Sequence, residues 1–200
     1  MSKSLPALLI LLGGLFTPLP GEELTPRAVS ALAAESFETK LNRIKDFIPA
    51  KKSGRNQTVY FTEDEINAWL TLRLKPSAHP SLKNLAVVLE DNHALVTADI
   101  DFDHLNDDSS TLLPKIIAIM FSGVHTITAH GKITSGNGQG MFEVDKANFD
   151  KLSIPVYMVK EIIAAVGLRQ PHPIDLTKSS PLPFDLDRLD VRKASLIAYQ

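Results

Sequence analysis

The sequence predicts an α+β fold, a curved antiparallel β-sheet packed on one face by several α-helices. Two patterns carry this expectation. Segments with alternating apolar residues come in pairs joined by turn-forming residues, as in β-hairpins. Between them lie segments whose apolar residues recur at steps of three and four, as on one face of a helix. The overall balance, 44% hydrophobic and 22% charged residues in a chain of 200, is that of a globular domain.

The first element is a leader. Residues 5–16 form a charge-free apolar run after Lys3, the pattern of a secretory signal. The run is shorter than the roughly 20 residues a bilayer-spanning helix needs, and Gly13-Gly14 and Pro18-Leu-Pro20 close it. Gly21 is small enough to precede a cleavage point, and Ala31-Leu32-Ala33 fits the small-x-small pattern further on. Residues 1–21 therefore read as a secretory signal or short N-terminal anchor, with cleavage as late as residue 33, and residues 34–200 as one α+β domain. The expected location is outside the cytoplasmic membrane, periplasmic or envelope-associated.

A helix is expected over residues 28–48, because Phe37, Leu41, Ile44 and Ile48 share one face. Lys40 and Arg43 lie on its other faces, and Lys51 and Lys52 follow. They form a local basic cluster in a chain of net charge −2, read either as a solvated face or as a contact with anionic lipid headgroups. Residues 57–61 read as a strand. Thr62-Glu-Asp-Glu65 then supplies a capping box, opening a helix with Ile66, Trp69 and Leu70 on one side that runs to about Leu74 before Pro76.

Leu85, Val87 and Leu89, then Val96, Ala98, Ile100 and Phe102, alternate around an Asp91-Asn92 turn. Thr97, Asp99 and Asp101 occupy the opposite, wet face. Residues 112–124 form the most apolar internal stretch, a helix opened by Pro114 and ended at Gly123. A second hairpin is expected from 124–134 and 141–149 around the glycine-rich stretch 135–140. Pro155 opens a further helix with Val156, Val159, Ile162, Ile163 and Val166 at helical spacing. The proline-rich stretch 170–184 is expected to run extended, and a small hairpin from about 186–191 and 195–199 ends the chain.

Candidate chemistry is sparse. The absence of cysteine removes disulfides, thiol catalysis and zinc-thiolate sites. Asp99-x-Asp101-x-Asp103 invites a calcium reading, but His104 and Ser110 stand where a helix-loop-helix calcium loop needs Gly and Glu, so a solvated strand edge is the expectation. No histidine pair has zinc-helix spacing, and His125 and His130 fall on opposite faces of a strand. Gly136-x-Gly138-x-Gly140 lacks the lysine and strand-to-helix setting of a phosphate loop and reads as a hairpin turn. No serine sits in a nucleophile elbow. The expectation is a non-enzyme without cofactor or metal and without a nucleic-acid partner. Residues 112–121 and 154–166 carry more apolar surface than two short helices on a one-sided sheet require. Their surplus either lines a cavity, with Ile116, Ile117, Met120 and Phe121 on one side and Met158, Val159, Ile162 and Ile163 on the other, or completes an ordinary core.

Three stretches resemble bacterial envelope proteins related to the tubular lipid-binding (TULIP) superfamily. They are Phe61-Thr-Glu-Asp-Glu-Ile-Asn-Ala-Trp-Leu70, Gly138-Gln-Gly-Met-Phe-Glu-Val144 leading to Ile154-Pro-Val-Tyr-Met-Val159, and Pro181-Leu-Pro-Phe184 before a terminal hairpin. The resemblance implies a TULIP-like fold that binds a lipid or other apolar small molecule between helix and sheet, with peripheral membrane contact. It brings no catalytic residues. Asn67 reads as a helix-to-strand hydrogen-bond tie rather than a ligand contact. The alternative function is an envelope scaffold or adaptor that uses an apolar helix to dock a partner.

Overall fold

The computed structural model describes residues 31–51, 53–74, 81–104, 122–167 and 178–200. The expected leader, the helix expected over 112–124 up to residue 121, and residues 168–177 of the proline-rich stretch lie outside them. The described chain is α+β with antiparallel pairing throughout.

Helix α1 (Ala31–Lys51) turns Phe37, Leu41 and Ile44 of the expected face into the core together with Ala34, while Ile48 is only half-buried. Strand β1 (Thr58–Thr62) leads straight into α2 (Glu63–Trp69). The capping box is formed: the Glu65 amide donates to Thr62 Oγ1 at 3.2 Å, and the Thr62 amide donates to Glu65 Oε2 at 2.9 Å. Past Trp69 the helix widens into a π-helical turn over Leu70–Leu74, where the Thr71 hydroxyl donates back to the Asn67 carbonyl. Phe37 meets Phe61 and Trp69 at ring-centroid distances of 5.0 and 5.3 Å, joining α1, β1 and α2.

The larger sheet runs in the order β2 (Leu82–Glu90), β3 (His93–Asp101), β4 (Val124–Gly136), β5 (Gln139–Phe149) and β6 (Leu152–Ser153). After β6 comes α3 (Val156–Gly167), which packs across β4 and β5. The short β7 (Ser180–Pro181) pairs with the start of β5. The turn between β4 and β5 is tighter than the stretch 135–140 suggested. Asn137 and Gly138 alone make it, at φ 51° and 74°, and Gly136 pairs with Gln139. Asn-Gly accepts the two positive φ values that suit a hairpin's twist, so the strands close to within two residues.

The expected extended run also changes. Leu182, which precedes Pro183, is extended at ψ 139°, but Pro183–Asp185 form a 3-10 turn with Phe184 at φ 57°. Proline restricts the residue before it and leaves the one after free to turn.

The terminal strands β8 (Arg188–Arg192) and β9 (Ser195–Tyr199) form the expected hairpin. They do more than close the chain, because β9 pairs with β1 in a three-stranded sheet of order β1-β9-β8. That sheet seals the hairpin end of the larger one. The Asn92 amide donates to the Val191 carbonyl at 3.0 Å, Gly138 to Asp187 at 2.9 Å, and Ala194 to Leu89 at 2.9 Å. Ser135 Oγ both donates to the Leu189 carbonyl and accepts from its amide. The buried residues of both sheets and all three helices form one continuous cluster.

Candidate functional site

Cross-strand partners share a face, so the register sorts the larger sheet's side chains. One face carries Leu85, Val87 and Leu89 from β2, Ala94, Val96, Ala98 and Ile100 from β3, Ile127, Ala129 and Ile133 from β4, and Phe142, Val144, Ala147 and Phe149 from β5. The other carries Asp99, Thr126, Thr128, His130, Glu143 and Asn148, but also Val88, Leu95 and Asp101. The apolar alternation foreseen for β2 and β3 is real, but the opposite face is not the wet one expected, since Leu95 and Asp101 are buried there and Thr97 and Asp99 half-buried. The apolar face is not uniformly covered, however. Val87, Leu89, Ala94, Ile127 and Ala129 are buried, whereas Leu85, Val96 and Ala98 are only half-buried. These three are neighbours in the register, Leu85 opposite Ala98 and Val96 two positions along β3. β3 is an interior strand, where an inward apolar residue is normally sealed.

One edge of this region is fixed by hydrogen bonds. Asn67 donates from Nδ2 to the Val87 carbonyl at 2.6 Å and accepts from the Val87 amide at 2.7 Å. One turn earlier on the same helix face, Glu63 Oε2 accepts from the Leu89 amide at 2.7 Å. Side chains of α2 thus stand in for a missing strand along the outer edge of β2. Asn67 is the helix-to-strand tie expected of it. On the other side, α3 sends Val159 and Ile162 into the core at 0% and 2% exposure. They touch no open space. Met158 is half-buried, and the side chain of Ile163 is outside the description, as are Ile116, Ile117, Met120 and Phe121 entirely.

Two members of the basic cluster have partners among the described residues. Lys40 Nζ reaches both carboxylate oxygens of Glu65, at 2.6 and 2.7 Å. The Ser36 hydroxyl adds a third donor at 2.5 Å. Burial pushes the Glu65 carboxyl up, but the hydrogen bonds from Lys40, Ser36 and the Thr62 amide, with the lysine's charge, outweigh it and hold the group below its ordinary value. Lys40 is therefore committed to joining α1 to α2. Arg43 is exposed, and its Nε donates to Gln57 Oε1 at 3.2 Å. Lys51 closes α1 with its side chain undescribed, and Lys52 lies outside the described residues.

The aspartates have separate engagements rather than a common centre. Asp99 accepts from Thr126 Oγ1 at 2.7 Å, Asp101 pairs with Lys83 at 3.0 Å, and Asp103 accepts from the Gly123 amide at 3.1 Å. His125 and His130 are on opposite faces, as expected, opposite Ile100 and Leu95 respectively. Nδ1 of His125 faces Asp150 at 2.9 Å, and Nε2 faces the Ser122 carbonyl at 3.0 Å. Burial raises the Asp150 carboxyl, yet the hydrogen bonds from His125 and the Thr126 amide carry it below its usual value.

No family model, curated protein or solved structure matches this chain. The site rests on its own chemistry. Sequence reasoning named residues of the 112–121 stretch and of α3 as a lining and did not single out Leu85, Val96 and Ala98, because alternation marks these as inward-facing and is silent on what lies over them.

Proposed function

We propose that this chain is an exported, non-enzymatic domain that binds a lipid or another apolar molecule at the cell envelope, in the manner of TULIP-related proteins. The reading includes a curved sheet with its helices on the apolar face. One observation carries it: the half-buried strip Leu85, Val96 and Ala98 on the apolar face of edge strand β2 and its interior neighbour β3. α2 borders the strip along the β2 edge, and α3 crosses β4 and β5. In this reading α3, which packs against β4 and β5, lies on their apolar face with the buried Val159 and Ile162. The strip is then an apolar floor on β2 and β3 between two helical walls. Extracting an acyl chain from a bilayer costs about 0.8 kcal/mol per methylene, and a lining of Leu, Val and Ala side chains offsets that cost where a polar cleft does not.

The test is a saturable fluorescence titration with a naturally fluorescent fatty acid, alongside native mass spectrometry of protein taken from its own envelope. Wild type is expected to saturate and to carry a co-purifying apolar ligand. Ala98→Trp fills the strip and is expected to weaken fatty-acid binding by about tenfold or more, with the far-UV spectrum retained. A ligand-free protein that takes up no fatty acid would overturn the reading.

A further inference from the structure

The end of the larger sheet remote from β8 carries a second feature. Between Lys151 and Lys160 the chain reads Leu-Ser-Ile-Pro-Val-Tyr-Met-Val, without an acidic residue. It runs through β6 into the first turn of α3. Val159 is packed into the core, but Leu152 is 72% exposed and Tyr157 62% exposed. Ser153 and Pro155 are exposed between them, and Lys151 stands exposed at the start. Val124, the first residue of β4, adds a further apolar side chain at the same end, 56% exposed. Of the acidic neighbours, Asp150 has its carboxylate held by His125 and the Thr126 amide, Asp101 opposite Val124 pairs with Lys83, Asp103 accepts from the Gly123 amide, and Glu161 follows Lys160.

We propose that this β6–α3 corner is a membrane-surface footprint, which inserts Leu152 and Tyr157 among lipid headgroups and sets Lys151 and Lys160 against anionic lipid. It rests on the reading of the domain as an apolar-ligand binder and supplies that site's partner surface. The chemistry fits at each position. A tyrosine ring favours the bilayer interface, with its apolar body in the acyl region and its hydroxyl in water. Lysines at either end keep their ammonium groups at headgroup level while the stems cover apolar surface. The pair of lysines, with no acidic side chain between them, complements an anionic leaflet although the whole chain is slightly acidic. Of the cluster first suspected of this role, Lys40 is engaged by Glu65 and Arg43 donates to Gln57. The footprint also lies at the opposite end of the sheet from the β8–β9 seal.

Sedimentation with vesicles of phosphatidylcholine, with and without phosphatidylglycerol, tests the footprint on the full chain. Wild type is expected to partition onto phosphatidylglycerol-containing vesicles, and more weakly at high salt. Leu152→Asp combined with Tyr157→Asp is expected to lower partitioning at least tenfold on both vesicle types. Lys151→Gln combined with Lys160→Gln is expected to lose about tenfold on the anionic vesicles only. Leu152, Tyr157 and Lys151 are exposed and Lys160 is half-buried, so both pairs are expected to keep fatty-acid uptake in solution. Wild type that ignores both vesicle types, or an Asp variant that sediments like wild type, overturns the footprint. Vesicle binding without fatty-acid uptake would instead overturn the ligand reading and leave the footprint standing.

Discussion

Glu65 is the residue on which α1, α2 and β1 converge, and its two oxygens accept from Lys40, Ser36 and the Thr62 amide. Such a carboxylate stabilises the fold only while it is charged. Because its folded-state value is lowered, its contribution is fully present above the unfolded carboxyl value of about 4.3 and disappears as pH falls through the folded value. Glu65→Gln is expected to cost about 1–3 kcal/mol at neutral pH, and the loss should shrink toward pH 3. Urea denaturation at the two pH values checks this; a cost independent of pH would show that the charge is irrelevant. Lys40→Met provides the matching control for the basic cluster. It should lower stability without changing vesicle partitioning, since the ammonium already has its partner.

At the scale of elements, several local signals held, although the 135–140 turn proved shorter and Pro183–Asp185 turned where an extended run was expected. The Thr62–Glu65 capping box, the Asn92 turn, the apolar alternation of β2 and β3 and the buried face of α1 were all legible, since each depends on contacts within a few residues. What lay between elements was not. The Asn67 amide bonding both backbone groups of Val87 is an exception only because the motif around it suggested a tie. Asn67→Ala is expected to cost about 2 kcal/mol by leaving a strand amide and carbonyl unpaired, with faster hydrogen exchange at the Val87 amide as the local readout. Gly131 shows a constraint invisible to pattern. It sits at the β4–β5 register shift, where an added Cβ would stand 2.5 Å from the Phe142 ring and 2.6 Å from the Glu143 carbonyl oxygen. Gly131→Ala should therefore destabilise by about 1–3 kcal/mol through overpacking, seen as a lowered Tm. An unchanged Tm would mean that the Phe142 ring gives way freely.

At the scale of the whole molecule, the main feature sequence could not supply is the pairing of β1 with β9, since no local signal links residues at opposite ends of a chain. That pairing has a kinetic consequence. The β2–β3 and β4–β5 hairpins close through two-residue turns and form without a large loop cost. Joining β9 to β1 closes most of the chain into one loop, whose entropic cost grows as roughly (3/2)RT ln n and is repaid only once the seal is complete. The β8–β9 seal should therefore form after the rate-limiting step. Leu196 is a direct probe: it lies on β9 opposite Phe61 and is 1% exposed. Leu196→Ala should destabilise by about 2–5 kcal/mol, almost entirely by accelerating unfolding. Ile133→Val, in β4, should cost about 0.5–1.5 kcal/mol with a clear slowing of folding. Stopped-flow chevrons separate the two, because a late-forming contact leaves the folding limb unmoved. If Leu196→Ala slows folding as strongly as it destabilises, the long-range seal belongs to the nucleus, and the order of assembly is reversed.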